Sequence, residues 1–402
     1  MKALVVDLNL FKAALNLLLG KITRSVYYSP LSLLKYHENY PEPELPGEDW
    51  VKIKTRLCGI CGSDLRVITL EESFYLAPLT SFPFIPGHEV VGEIVEAGSE
   101  SNASENERVV VNPALSCRVR GFEDCEACRK GHFAVCHNTD RGKISPGIFT
   151  GICKDTGGGW AEYFVAHDSQ LVSVPASIDD DNAVFAEPLT IGIHSALRSF
   201  PADEEVVAVV GCGTIGICTI IALRHLGFKG EIIGIDVSER QAEMAKKYGA
   251  DEVITENPVE SVAEMTGGRV YRPPRDKPMF VGGGVDVAYE CTGSQKTVDI
   301  ALRITKPLGR VVIAGTVAKM DLDLAPVFAK ELSILGTFGC GIEEVGGERR
   351  DTFDIALEIL QKIDLSHLLT HKFAIEDYRK ALKTAIEKRK SGAVKVAFDF
   401  TP

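Results

Sequence analysis

Short alternations of apolar and polar residues run through the first half of the chain, as in residues 50–54 (WVKIK) and 90–95 (VVGEIV). Period-two patterning broken by Gly and Pro predicts short strands joined by turns, hence a β-rich region. Near residue 205 the texture changes. Residues 206–210 are continuously apolar, a glycine-rich turn follows, and residues 214–226 read as a helix. A strand at 231–236, a helix at 238–248 and strands at 285–290 and 310–315 continue the alternation. Continuous apolar strands alternating with helices predict a doubly wound parallel sheet. Beyond about residue 335 the pattern loosens into helices at 352–361 and 376–388 and a final strand at 394–400.

Two stretches read as insertions. In residues 8–24, Phe11, Leu15, Leu18 and Ile22 fall on one helical face, with Lys12, Lys21 and Arg24 adding positive charge. This predicts an amphipathic helix packed on its own domain or on a neighbouring subunit, with membrane-surface attachment as the alternative. Residues 271–284 (YRPPRDKPMFVGGG) predict a surface loop.

The length of 402 residues suits two domains, and 45% apolar with 25% charged residues is ordinary for a globular protein. A net charge of −12 gives no overall pull toward nucleic acid or anionic lipid. Asp7, Asn9, Lys12 and Asn16 interrupt the apolar N-terminal run, which argues against a signal peptide. No stretch reaches the roughly 18 apolar residues of a membrane span. An odd number of cysteines, 11, without a secretory signal argues against a disulfide framework and for a reducing compartment. The expectation is a cytoplasmic protein with no membrane or nucleic-acid partner.

The strand at 206–210 runs into Gly211-Cys-Gly213-Thr214-Ile215-Gly216 and then a helix. Gly211 suits the tight turn, Gly213 lets backbone approach a pyrophosphate, and Gly216 permits close helix–strand packing. The helix start at Thr214 and Ile215 supplies N–H donors and a favourable dipole. Asp236, twenty residues after Gly216 at the end of the next strand, is placed to bind both ribose hydroxyls of NAD and to repel a 2′-phosphate. Arg240 suits adenine or a 2′-phosphate, but Asp236 outweighs it. The other reading is a purely structural glycine turn.

Cys117, Cys125, Cys128 and Cys136 lie within twenty residues. Four thiolates would close a tetrahedral zinc site with no open position, a structural site; the alternative is four buried apolar thiols. Cys61, His88-Glu89 and Glu187 form a scattered second set. A thiolate, an imidazole and a carboxylate leave a fourth position open, as catalysis requires. Spacing alone does not join these residues.

Taken in order, Cys61-Gly-Ser-Asp64, Gly87-His-Glu-x-x-Gly92, the four-cysteine lobe, Gly158-Gly-Trp-Ala-Glu-Tyr163, Glu187-Pro-Leu and the Gly211–Gly216 turn with Asp236 cover nearly the whole chain. The chain resembles the zinc-dependent medium-chain alcohol and polyol dehydrogenases, in the branch of sorbitol, butanediol and threonine dehydrogenases. The resemblance implies an α/β protein: a GroES-like β-rich catalytic domain over 1–189, a Rossmann NAD-binding domain over 190–338, and a segment over 339–402 returning to the first. It implies two zinc ions per chain and a homodimer or homotetramer. Cys61, His88 and Glu187 would surround the catalytic zinc, with Glu89 a neighbouring carboxylate able to exchange onto the metal. Asp64 would orient a ligand, and Ser63 would take the alcohol proton.

The chain also departs from that family. Cys117 and Cys125 are separated by seven residues where two are usual, so residues 118–124 must loop out. Arg66 stands where a histidine commonly ends a proton relay, and Gly62 where some relatives carry an arginine against the pyrophosphate. A guanidinium cannot relay a proton, so Arg66 is read as a cofactor contact or as a surface partner of an acid such as Glu71. The implied activity is NAD-dependent oxidation of a secondary alcohol or polyol, zinc acting as a Lewis acid. The alternatives are an aldose 1-dehydrogenase and a non-catalytic NAD-binding or structural protein. Phe74, Tyr75, Phe82 and Trp160 are aromatic candidates for the substrate pocket.

Overall fold

The computed structural model describes residues 1–401. The chain divides into a unit of residues 1–187 with 339–402, and a unit of residues 188–338.

The first unit is built on a seven-stranded sheet. Its strands run in the order Leu369–Phe373, Lys395–Asp399, Trp50–Gly59, Val90–Ala97, Arg108–Val111 and Leu171–Ser173, with Tyr163–His167 also paired to Trp50–Gly59. All neighbours are antiparallel except the first two. The chain's last strand therefore lies beside the strand that leads to Cys61. Alternate residues such as Val51, Ile53 and Ile94 point into a core that also holds Phe164, Trp160 and Phe398. The Trp160 and Phe398 rings meet edge to face at 5.2 Å, a favoured arrangement for aromatic quadrupoles.

The second unit carries a six-stranded parallel sheet in the order Glu252–Ile254, Ile232–Ile235, Val207–Val210, Val285–Glu290, Thr305–Ile313 and Ser333–Gly336. Counted along the chain this is order 3-2-1-4-5-6, the doubly wound dinucleotide-binding arrangement, with the crevice where the order reverses beside Val207–Val210. That strand is buried along its whole length, which is why it reads as a continuous apolar run.

Two expectations are narrowed. The helix Leu10–Leu19 forms, and Leu10, Phe11, Leu18 and Ile22 are exposed on the single chain, so of the packings expected for this stripe the one on its own domain is excluded. The helix is held by buried Asn16, whose amide donates to the carbonyls of Lys12 and Leu31 at 2.8 Å each. Within 271–284 the chain is not wholly loop. Arg269–Tyr271 and Met279–Val281 pair as a small antiparallel hairpin, because β-favouring RVY and MFV flank the proline-rich turn. Among the described residues no helix is long and apolar enough to cross a membrane.

Candidate functional site

Strand register brings the first set together. Cys58 lies opposite Val90 in the antiparallel pair, so Cys61, just past the end of one strand, meets His88 and Glu89, just before the start of the next. Cys61 caps the helix Gly62–Thr69, where the helix dipole favours negative charge. One ligand atom each of Cys61, His88 and Glu89 lies within 4.8 Å of the others. Asp64, in the first turn of that helix, accepts the Cys61 N–H at 2.9 Å and lies 3.4 Å from His88 Nδ1. This leaves the opposite ring nitrogen of His88 for a metal, the usual carboxylate–histidine support. Burial opposes protonation of His88, but the charges of Asp64 and Cys61 outweigh it and hold its pKa well above the ordinary value.

Glu187 sits in the first turn of the helix Ala186–Arg198. It does not join the three clustered atoms, although His88, Glu89 and Lys395 all act on its charge. Burial pushes its pKa up to about 7, against the pull of His88 and with the push of Glu89. Glu89 itself is paired with Lys395, and both side chains are almost completely buried. Sequence reasoning missed Lys395. The available signal was a lysine interrupting the apolar final strand. That strand pairs Ala397 with Gly59, and Ile60 N–H donates to the Val396 carbonyl at 2.8 Å, which carries Lys395 to the metal-ligand end of the sheet.

A cleft of about 50 Å³, open to solvent, lies beside this cluster. Ser63, Asp64 and His88 line it together with Val6, Val67, Glu72, Leu76, Thr80, Phe84, Pro86, Ile148, Phe149 and Ile152. The aromatic lining is Phe84 and Phe149, not the expected residues. Phe74 and Tyr75 are 79% and 85% exposed, Trp160 is wholly buried in the core, and Phe82 packs on the core. Arg66 is half-buried on the helix Gly62–Thr69, and Glu71 faces Arg24 at 3.5 Å.

The four cysteines converge, Cys117 included: one sulfur from each lies within 4.8 Å of the rest. Cys117 and Cys136 are 3.5 Å apart, near the edge of roughly 3.8 Å that a tetrahedron of 2.3 Å Zn–S bonds requires. Residues 118–124 loop out, closed by the Arg118–Asp124 ion pair at 3.1 Å. Backbone N–H groups of Cys125, His137 and Asn138 point at the sulfurs of Cys117, Cys125 and Cys136 at 3.2–3.4 Å, and the Asn138 amide donates to Cys117 at 3.2 Å. Such donors favour thiolates. The bond from the Cys128 thiol, aided by the Asn138 N–H, pushes the Cys136 pKa down to about 5. The donor set and its spacing fit a closed zinc site.

In the second unit the glycines stand where the backbone turns or packs closely. Gly211 has φ +94°, and a Cβ there would strike the Thr292 hydroxyl. A Cβ on Gly216 would strike the Gly211 carbonyl. Gly213 has nothing nearer than 3.9 Å, so its face is open to an approaching ligand. The helix Thr214–His225 starts here, and its first N–H groups lack intrahelical partners. Asp236 follows the strand Ile232–Ile235. Its carboxylate accepts the N–H of Cys212 and of Ser238 at 2.9 Å each, and the Gln241 amide, with its nitrogen turned inward, donates at 3.0 and 3.2 Å. Arg240 is exposed on the following helix.

Comparison with known proteins agrees with this architecture. Residues 47–176 match the alcohol dehydrogenase GroES-like domain, and residues 214–362 match the zinc-binding dehydrogenase model. The chain is 30% identical over 361 residues to an L-idonate 5-dehydrogenase of Vitis vinifera, covering 87% of each chain. It is 31% identical to an L-threonine 3-dehydrogenase of Paraburkholderia phymatum, covering 90% of this chain and 94% of that one. The solved structure of 2R,3R-butanediol dehydrogenase from Bacillus subtilis superposes with a TM-score of 0.67 at 25% identity, covering 92% and 96% of the two chains. With a GroES-like unit, a six-stranded dinucleotide-binding sheet and these relatives, the chain belongs to the zinc-binding medium-chain dehydrogenases.

Proposed function

We propose that the protein oxidises an alcohol or polyol with NAD, using a catalytic zinc held by Cys61, His88 and Glu89 and a structural zinc held by Cys117, Cys125, Cys128 and Cys136. The observation that carries this is the convergence of a thiolate, an imidazole and a carboxylate beside an open cleft. Three protein ligands leave a position for substrate, whereas the four-cysteine set leaves none. When bound, the catalytic zinc supplies Lewis acidity and NAD accepts the hydride. Asp64 holds the His88 ring in place. Ser63, on the cleft wall, is the group that receives the alcohol proton. Glu187 is the second carboxylate of the site, and burial raises its pKa.

In the second unit the open face at Gly213 and the N–H groups of Thr214 and Ile215 receive the pyrophosphate. Asp236, fixed by its three donors, receives the ribose hydroxyls and disfavours a 2′-phosphate. The exposed edge strand Ser333–Gly336, with Ile334 at 45% exposure, is where a homodimer would extend the sheet. The test is Cys61→Ser. It should abolish NADH formation across an alcohol and polyol panel while one zinc per chain remains; wild-type turnover in this variant would refute the assignment.

A further inference from the structure

The cleft walls carry information about the part of the substrate that does not react. Ser63, Asp64 and His88 form its metal end, and the Asp64 carboxylate is already engaged by Cys61 N–H and His88. Elsewhere the polar side chains on the lining are Glu72 and Thr80, and one Glu72 oxygen already accepts the Ser73 N–H at 3.0 Å. The remaining wall is hydrocarbon, chiefly Val67, Leu76, Phe84, Ile148, Phe149 and Ile152. We propose that the substrate is an alcohol bearing a hydrocarbon arm with at most one further polar group, received near Glu72 and Thr80, and not a polyol hydroxylated along its length. This rests on the zinc dehydrogenase reading and narrows it.

The physical reason is the asymmetry between methylene and hydroxyl against such a wall. A methylene leaving water for hydrocarbon strengthens binding about fourfold. A hydroxyl desolvated there without a partner weakens it roughly five- to a hundredfold. A polyol of five or six carbons would present several such hydroxyls to a wall with two polar side chains.

The experiment uses the zinc-loaded protein with saturating NAD. It compares kcat/KM for 2-butanol, 2-hexanol and 2-octanol with that for xylitol and sorbitol. The expected result is a rise of about fourfold per methylene until the arm outgrows the cleft, with both polyols at least about tenfold below 2-hexanol. Leu76→Asn should lower kcat/KM for 2-octanol more than for 2-butanol, shifting their ratio by about tenfold without shifting the melting temperature. A structural role for Leu76 would instead lower both alike together with the melting temperature. Polyols preferred over every monohydric alcohol, or an unchanged ratio in Leu76→Asn, would overturn this inference and leave the dehydrogenase reading standing. No turnover of any alcohol with NAD or NADP would overturn the dehydrogenase reading itself. Titration calorimetry with 2-octanol and sorbitol then decides the cleft alone, and sorbitol binding more tightly than 2-octanol would sink the proposal.

Discussion

Replacing Lys395 by Met should be among the most destabilising single changes in the first unit. Methionine has nearly the same length, so little space is opened. The charge is what is lost. Lys395 and Glu89 have side-chain exposures of 3% and 1%, so removing the ammonium takes its ion-pair partner from a buried carboxylate. Breaking one partner of a buried pair costs about 3–5 kcal/mol. For a folding unit of this size that is a fall of roughly 6–20 °C in melting temperature. A bound zinc would lend Glu89 a second positive neighbour, so the fall should be greater after chelation than in zinc-loaded protein. The double variant with Glu89→Gln removes both charges and should melt well above the sum of the two single effects, a coupling of about 2 kcal/mol or more. The sign of the pH dependence is also set. Burial lowers the Lys395 pKa, but Glu89 outweighs it and the net shift is upward. The pair's contribution is therefore complete below the ordinary lysine value of about 10.4 and is lost only as pH rises beyond it. Thermal melts followed by circular dichroism, with and without chelator, at pH 7 and pH 9 are the assay. A single variant within about 2 °C of wild type in both metal states, or additive single effects, would refute the reasoning.

Other substitutions read out separate parts of the molecule. Cys128→Ser removes one thiolate from a closed site, so metal analysis should fall by about one zinc per chain and the melting temperature should drop by several degrees; full zinc content would place the structural metal elsewhere. Asp236→Ser keeps the turn but removes the carboxylate, so the ratio of kcat/KM for NADP to that for NAD should rise at least about tenfold, or ~1.4 kcal/mol; an unchanged ratio would exclude Asp236 as the discriminating group. Burial pushes Asp351 up to about 6, above the unfolded value of about 3.9, so stability should fall as pH rises from 4 through 6. Asp351→Asn can still accept the Phe353 N–H that Asp351 caps. It should raise stability at pH 7 by up to about 3 kcal/mol and by almost nothing at pH 4, and equal shifts at both values would contradict the burial argument.

Which features were legible in the chain follows from the range of the forces behind them. The alternation at 50–54, the apolar run at 206–210 and the glycines at 211, 213 and 216 are local, and each element or turn stands where its own residues place it. The four cysteines are close in sequence, so even the seven-residue excursion at 118–124 does not separate them. Which face of Leu10–Leu19 is buried was not legible, because buried Asn16 is held by the Leu31 carbonyl, a contact between separate segments that the local period does not encode. Nor was the full catalytic cluster, whose geometry depends on register between distant segments. Residue 61 meets 88 and 89 because Cys58 is paired with Val90, and Lys395 arrives because Ala397 is paired with Gly59. A slip of one residue in either ladder would turn side chains to the opposite face. Glu89 and Lys395 would then point into different surroundings. The buried pair thus ties the chain's last strand to the metal-ligand end of the sheet, so its loss should be felt as unfolding at lower temperature, most of all when no zinc is bound.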